Sequence, residues 1–318
     1  MFIATDRPVV IFDTSAVNAI YDDSDRDNRM SQFLNIYSPR LTWAVLDEVL
    51  ATSNTETDQT LDYRREQLFE VTLRMQNAGD CVLPFHYLLI NHVRAFVDDR
   101  QYDWTFLNCH GNNLKEAIVE QRHGLSNELI QEQRKCNLDL ERQYKQKFKE
   151  IRGWVQEDGK WRNRFQSHDD FIHFAFGNNG PYWQEAVAHI KKALQISLEE
   201  EENKDPIDVN VILGLKNAVN AFSVSDAIRF AEACPPFKAH MYAIACTAFA
   251  RIHDPSLNSK ERARSAGRVD TFTALYLPYC RYFVTNDPGQ FDCHNKVAVL
   301  LGGKTGVFMY EDFWKSLP

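Results

Sequence analysis

Pro8-Val-Val-Ile-Phe-Asp-Thr-Ser15 is the stretch on which the reading of this chain turns. A short run of β-branched and aromatic residues ends at an acid, where a buried strand would give way to a loop. The pattern recurs: Leu41-Thr-Trp-Ala-Val-Leu46 stops at Asp47-Glu48, and Arg281-Tyr-Phe-Val-Thr285 stops at Asn286-Asp287. If the three strands lie parallel in one sheet, their carboxyl ends share an edge, the edge where open α/β sheets bind ligands. Carboxylates would converge there. Their repulsion must then be relieved by protonation, by basic partners or by a divalent cation.

Working outward, the Asp13 turn leads into a short helix over 15–20, an acidic loop over 21–27 and a helix over 29–37 that Ser38-Pro39 stops ahead of the second strand. A helix opening at Asp47 would carry Glu48 in its first turn, on the sheet edge. Between about 60 and 251 the periodicity turns helical, with few convincing strands: helices are expected over 61–76, 84–97 and, long and highly charged, over 126–155. A helix from about Val269-Asp270 toward Leu277 follows, then the strand ending at Thr285, a turn Asn286-Asp287-Pro288-Gly289, an apolar strand Val297–Leu301 and a closing strand over 307–310. Strands and helices alternating at both ends favour a parallel sheet. The expected fold class is α/β: a parallel sheet flanked by helices, built from 1–58 and 255–318 and interrupted at 59–254 by a mostly α-helical insertion.

The 318 residues are 44% hydrophobic and 25% charged, the composition of a globular protein rather than a disordered or fibrous one. No apolar stretch approaches the roughly 20 residues needed to span a bilayer, and the first residues lack the pattern of a signal peptide, so a cytoplasmic protein without membrane partners is expected. Seven scattered cysteines with no Cys-x-x-Cys pair point to free thiols, not to a disulfide scaffold or a zinc site. The net charge of −8 argues against a protein coated for nonspecific DNA binding, but leaves room for a local basic surface. Two basic groups qualify: Lys145 and Arg152, within an aromatic-rich charged stretch, and Arg264 and Arg268, just ahead of Asp270.

The ordered set Asp13-Thr-Ser15, Glu48, Asp270 followed by Ala274-Leu-Tyr-Leu277, and Tyr282-Phe-Val-Thr-Asn-Asp287 resembles the pattern of a PIN domain. The resemblance covers about 1–58 and 255–318. It implies a PIN-like, metal-dependent nuclease core that hydrolyses phosphodiester bonds, with RNA favoured over DNA. It further implies that Asp13, Glu48, Asp270 and Asp287 hold Mg²⁺ or Mn²⁺ and that the hydroxyls of Ser15 and Thr285 support the neighbouring acids. The residue types suit that chemistry, since Mg²⁺ takes hard oxygen ligands and uses few carboxylates beside water and phosphate oxygens. A homo-oligomer or an inhibitor protein as partner also fits the resemblance. The spacing between Glu48 and Asp270 is far longer than in compact members, and Asp47 competes with Glu48 for its place.

Other readings stay open. Each acid has a local role available: Asp13 closing a turn, Asp270 capping a helix, Asp287 starting a Pro-Gly turn. A dehalogenase-like phosphatase would need a second aspartate where Ser15 stands. Arg162-Asn-Arg-Phe-Gln-Ser-His168 is similar to the motif of metal-free HEPN-type ribonucleases. A PIN-fold scaffold without catalysis, using the insertion to bind partners, is the alternative from another class.

Overall fold

The computed structural model describes residues 7–42, 44–45, 48–49, 59–78, 81–82, 85–99, 135, 142, 146, 165–177, 180–203, 208–253 and 268–317. Its centre is β1 (Val9–Phe12), whose side chains alternate between two buried faces. Val10 and Phe12 enter one apolar cluster with Val284, while Ile11 enters another with Phe283 and Val307. A strand buried on both sides has no solvent face to make polar, which explains its unbroken apolar run.

From β1 the chain passes through α1 (Thr14–Asp22) and α2 (Arg26–Ile36) to β2 (Ser38–Thr42). Then come α3 (Gln59–Ala78), β3 (Cys81–Val82) and α4 (Phe85–Val97). Farther on lie α5 (His168–Phe176), α6 (Trp183–Glu202), α7 (Val209–Ala221), α8 (Val224–Ala233) and α9 (Pro235–His253). The chain closes with α10 (Arg268–Thr273), a 3-10 helix (Ala274–Tyr279), β4 (Tyr282–Thr285), α11 (Pro288–Leu300), β5 (Gly306–Met309) and α12 (Tyr310–Lys315). The sheet order is β3-β2-β1-β4-β5 and every pairing is parallel. The expected α/β class and parallel sheet are therefore found.

One face of the sheet is covered by α1, α2, α3 and α12, around an aromatic nest in which Phe33 lies 5.3 Å from Phe12 and 5.9 Å from Trp314, ring centre to ring centre. The other is covered by α9, the 3-10 helix and α11. A third apolar cluster joins α4, α6, α7, α8 and the start of α9. The stretch 59–254 thus supplies more than a separate helical body: β3 extends the sheet beside β2, α3 packs on β2, and α9 packs on the 3-10 helix and α11.

Three local expectations are corrected. The second strand is Ser38–Thr42, not Leu41–Leu46, and Ser38-Pro39 lies inside it. Pro39 pairs with Val10 of β1, while among the described residues β3 pairs only with Leu41 and Thr42, so no described strand meets the other side of β2 at Pro39. The chain turns helical at Ala44 and Val45 because the Thr42 hydroxyl accepts the Val45 N–H at 3.4 Å, as a helix cap does. The run Val297–Leu301 is helical as well: its burial follows a helical stripe through Gln290, Cys293, His294, Val297 and Ala298, leaving Val299 68% exposed. Finally, Asn286–Gly289 starts that helix instead of closing a turn, with Asp287 as N-cap and Pro288 in the first turn, where its missing N–H costs nothing.

Candidate active site

In the order β3-β2-β1-β4-β5 the chain builds outward on one side of β1 and then returns to its other side, so the topological switch point lies between β1 and β4. Phe12 is in register with Val284, and the Asp13 N–H donates to the Val284 carbonyl at 3.0 Å. The next residues on the two strands, Asp13 and Thr285, therefore stand side by side at the carboxyl edge. The Thr285 hydroxyl donates to Asp13 Oδ2 at 2.8 Å, and the Ser15 hydroxyl lies 2.9 Å from both Asp13 oxygens. Asp13 also caps α1, with Oδ1 accepting the Ala16 N–H at 2.7 Å. Ser15 Oγ in turn accepts the Asn286 N–H at 2.7 Å, tying the β4 loop to the first turn of α1.

Asp13 is only 7% exposed. Burial pushes its carboxyl up to about 7; the bonds from Ala16, Thr285 and Ser15 pull the other way, and the negative charge of Asp270 adds to the rise. The charge of Asp270, on α10, is thus felt at Asp13, which is itself buried enough to resist ionisation. Such a pair suits a hard divalent cation held by few carboxylates, with the remaining positions left to water and phosphate oxygens.

The other expected residues are placed differently. Glu48 is helical, and its carboxylate accepts the Thr14 hydroxyl, which brings it beside the first turn of α1. Asp287 Oδ1 accepts the Gln290 N–H at 2.9 Å as the cap of α11, while the Asp287 N–H donates to Thr285 Oγ1 at 3.0 Å. Among the described residues no three His, Cys, Asp or Glu side chains form a group able to hold a metal ion. Arg268 opens α10 two residues before Asp270, whereas Arg264, Lys145, Arg152, Arg162 and Asp47 lie outside the described residues. His168 is partly buried with its ring 4.2 Å from Phe249, and burial, with the positive charge of Lys296, lowers it to about 4. Cys234, Cys246, Cys280 and Cys293 are buried free thiols, and burial pushes all four up.

Beneath the acids runs a layer that sequence reading passed over. Thr273, Gln290 and His294 are all buried and join α10 to the end of β4. Gln290 lies three residues after the capping Asp287, the position where a capping box places Glu or Gln, so a signal for it existed. Its side chain goes inward instead, to Thr285 and Thr273. Nothing local marks His294 or Thr273.

Comparison with protein-family models, with curated proteins and with solved structures finds no match to this chain. Among the described residues no helix is long and apolar enough to cross a membrane.

Proposed function

We propose that the chain is a PIN-like, metal-dependent nuclease that hydrolyses internal phosphodiester bonds, with RNA ahead of DNA as substrate. The observation that carries this reading is the buried Asp13 at the switch point of the parallel sheet, clamped by Ser15 and Thr285 and coupled in charge to Asp270. In this reading Asp13 and Asp270 hold the ion. Ser15, Thr285 and the Ala16 N–H fix the rotamer of the Asp13 carboxylate, so that it is already ordered when the ion arrives. Glu48, steered by Thr14, serves the rim of the same site, and Asp287 holds the β4 loop in shape as a helix cap. Bound there, Mg²⁺ or Mn²⁺ supplies an activated water and neutralises charge on the phosphodiester. Arg268 and Arg264, close in sequence to Asp270, are the candidates for guiding the phosphate backbone, with Lys145 and Arg152 as a more remote basic group.

The test is cleavage of labelled single- and double-stranded RNA and DNA in Mn²⁺ or EDTA by the wild type, Asp13→Asn and Asp270→Asn. Mn²⁺-dependent cutting lost in both variants is expected, with RNA cut faster. Cutting that survives EDTA and both substitutions would overturn the proposal. A second reading, a non-catalytic scaffold, draws on the engagement of Asp287 as a cap and on the lack of a three-ligand group among the described residues. It requires that Mn²⁺ give no thermal stabilisation that disappears in Asp13→Asn.

A further inference from the structure

Three features lie outside the acids themselves. A cleft of about 400 Å³ between α1, α2 and α3 is lined by Arg26, Asp27, Glu70 and Arg74 over apolar residues, but Arg74 is already paired with Asp27 at 2.7 Å. On α7, Val209 and Leu213 are exposed one turn apart with nothing to identify an occupant. The buried layer under the acids carries an inference further. We infer that Gln290 and His294, one turn apart on the inner face of α11, are positioning residues that latch α10, and with it Asp270, against the Asp13 end of the sheet.

The inference rests on the metal-site reading above and on proton counting. The Gln290 amide bridges two hydroxyls: Oε1 lies 2.7 Å from Thr285 Oγ1 and Nε2 lies 2.9 Å from Thr273 Oγ1. Thr285 also reaches Asp13 Oδ2 at 2.8 Å, yet a hydroxyl has one proton to donate. With Asp13 ionised, as it must be to hold a cation, the carboxylate is the stronger acceptor and takes it. The amide is then satisfied when turned over, because the choice between its O and N follows from the network. Its NH₂ donates to Thr285 Oγ1, and its oxygen accepts from the Thr273 hydroxyl. Every donor along the line Thr273, Gln290, Thr285 then points toward Asp13.

That orientation uses the only Thr273 proton, so the Thr273 hydroxyl cannot also donate to the Asp270 carbonyl 2.8 Å away. His294 holds that carbonyl directly: Nε2 lies 3.0 Å from the Asp270 carbonyl oxygen, which can only accept, so Nε2 carries the hydrogen. The imidazole is wholly buried, with its ring 4.7 Å from that of Phe283. α9 adds a second hold on α10, placing His240 Nδ1 2.9 Å from the Thr271 carbonyl. A helix of six residues has little cooperativity of its own. Its placement, and so that of Asp270, depends on these side-chain anchors.

The experiment is calorimetric titration of Mn²⁺ into the full chain, with no substrate present. It compares the wild type with Asp13→Asn, His294→Leu, His294→Gln and Gln290→Met. Leu and Met keep the volume and remove the hydrogen bonds, whereas Gln at 294 restores a donor at the position of Nε2. His294→Leu and Gln290→Met are expected to weaken Mn²⁺ binding about ten-fold or more, and His294→Gln to stay within about three-fold of the wild type. If the Leu variant does not fold, Gln290→Met decides alone. Wild-type affinity in both apolar variants would overturn the latch. Equal loss in His294→Leu and His294→Gln would reduce His294 to a packing role and overturn its half of the latch. Mn²⁺ binding that is absent in the wild type, or undiminished in Asp13→Asn, would instead overturn the metal-site reading beneath it.

Discussion

Replacing Asp13 with asparagine should make the metal-free protein more stable at pH 8 and leave it almost unchanged at pH 4. Burial raises the Asp13 carboxyl from 3.8 to about 7, so the folded chain keeps a proton on Asp13 that the unfolded chain has released. Between those two pH values the folded state binds more protons. Wild-type stability therefore falls as pH rises from about 4, and the full penalty is present above about 7. The interval corresponds to about 4 kcal/mol at full ionisation, an upper figure because solvent and structural relaxation reduce it. The amide of the variant cannot ionise. It can still accept the Ala16 N–H and can donate to the Ser15 and Thr285 oxygens once those hydroxyls rotate. The measurement is the urea midpoint of both proteins in EDTA at pH 4, 5, 6, 7 and 8. The gap in favour of the Asp13→Asn variant should be near zero at the acid end and about 2–4 kcal/mol at pH 8. Mn²⁺ at pH 8 should narrow or reverse it, because only the wild type offers the charged carboxylate. A gap that is absent at pH 8, or equally large at pH 4, would refute the claim that burial holds this carboxyl against ionisation.

Other consequences follow from the packing. Phe33 is fully buried at the centre of the aromatic nest, so Phe33→Ala should cost about 3–5 kcal/mol in equilibrium unfolding. A loss below about 1 kcal/mol would mean that α2 does not pack on the sheet as described. His168, lowered by burial and packed against Phe249, is neutral at pH 7 and should serve packing alone. His168→Ala is expected to lower the melting temperature without changing the rate of Mn²⁺-dependent cleavage, and a loss of cutting with stability intact would point to the metal-free mechanism.

Much of the sheet is legible in the chain because the signals are local. β1 and β4 announce themselves as apolar runs bounded by Pro8 and by acids, and α1, α3 and α4 follow from caps and helical periodicity. The misreadings have local causes too. Apolar character alone does not separate a strand from a buried helix face, so Val297–Leu301 reads as a strand and the second strand reads as starting too late. Pro39 misleads because a proline is tolerated in a strand wherever no neighbour needs its N–H, and among the described residues β3 pairs only with Leu41 and Thr42, which its own sequence does not reveal.

By itself, then, the sequence determined that acids would follow buried strands at Asp13 and Asp287, and that strands would alternate with helices at both ends of the chain. Only the tertiary structure decided which acids meet. Strand order arises from pairings between residues far apart in the chain, and it set β4 beside β1, bringing Thr285 to Asp13 across 272 positions. The same packing drew Asp270 within electrostatic reach, turned Asp287 to capping its own helix, and enlisted Gln290 and His294 beneath the site. Periodicity and capping are written within one turn of the chain. Convergence of charge is not, because it depends on burial, and burial is a property of the assembled layers.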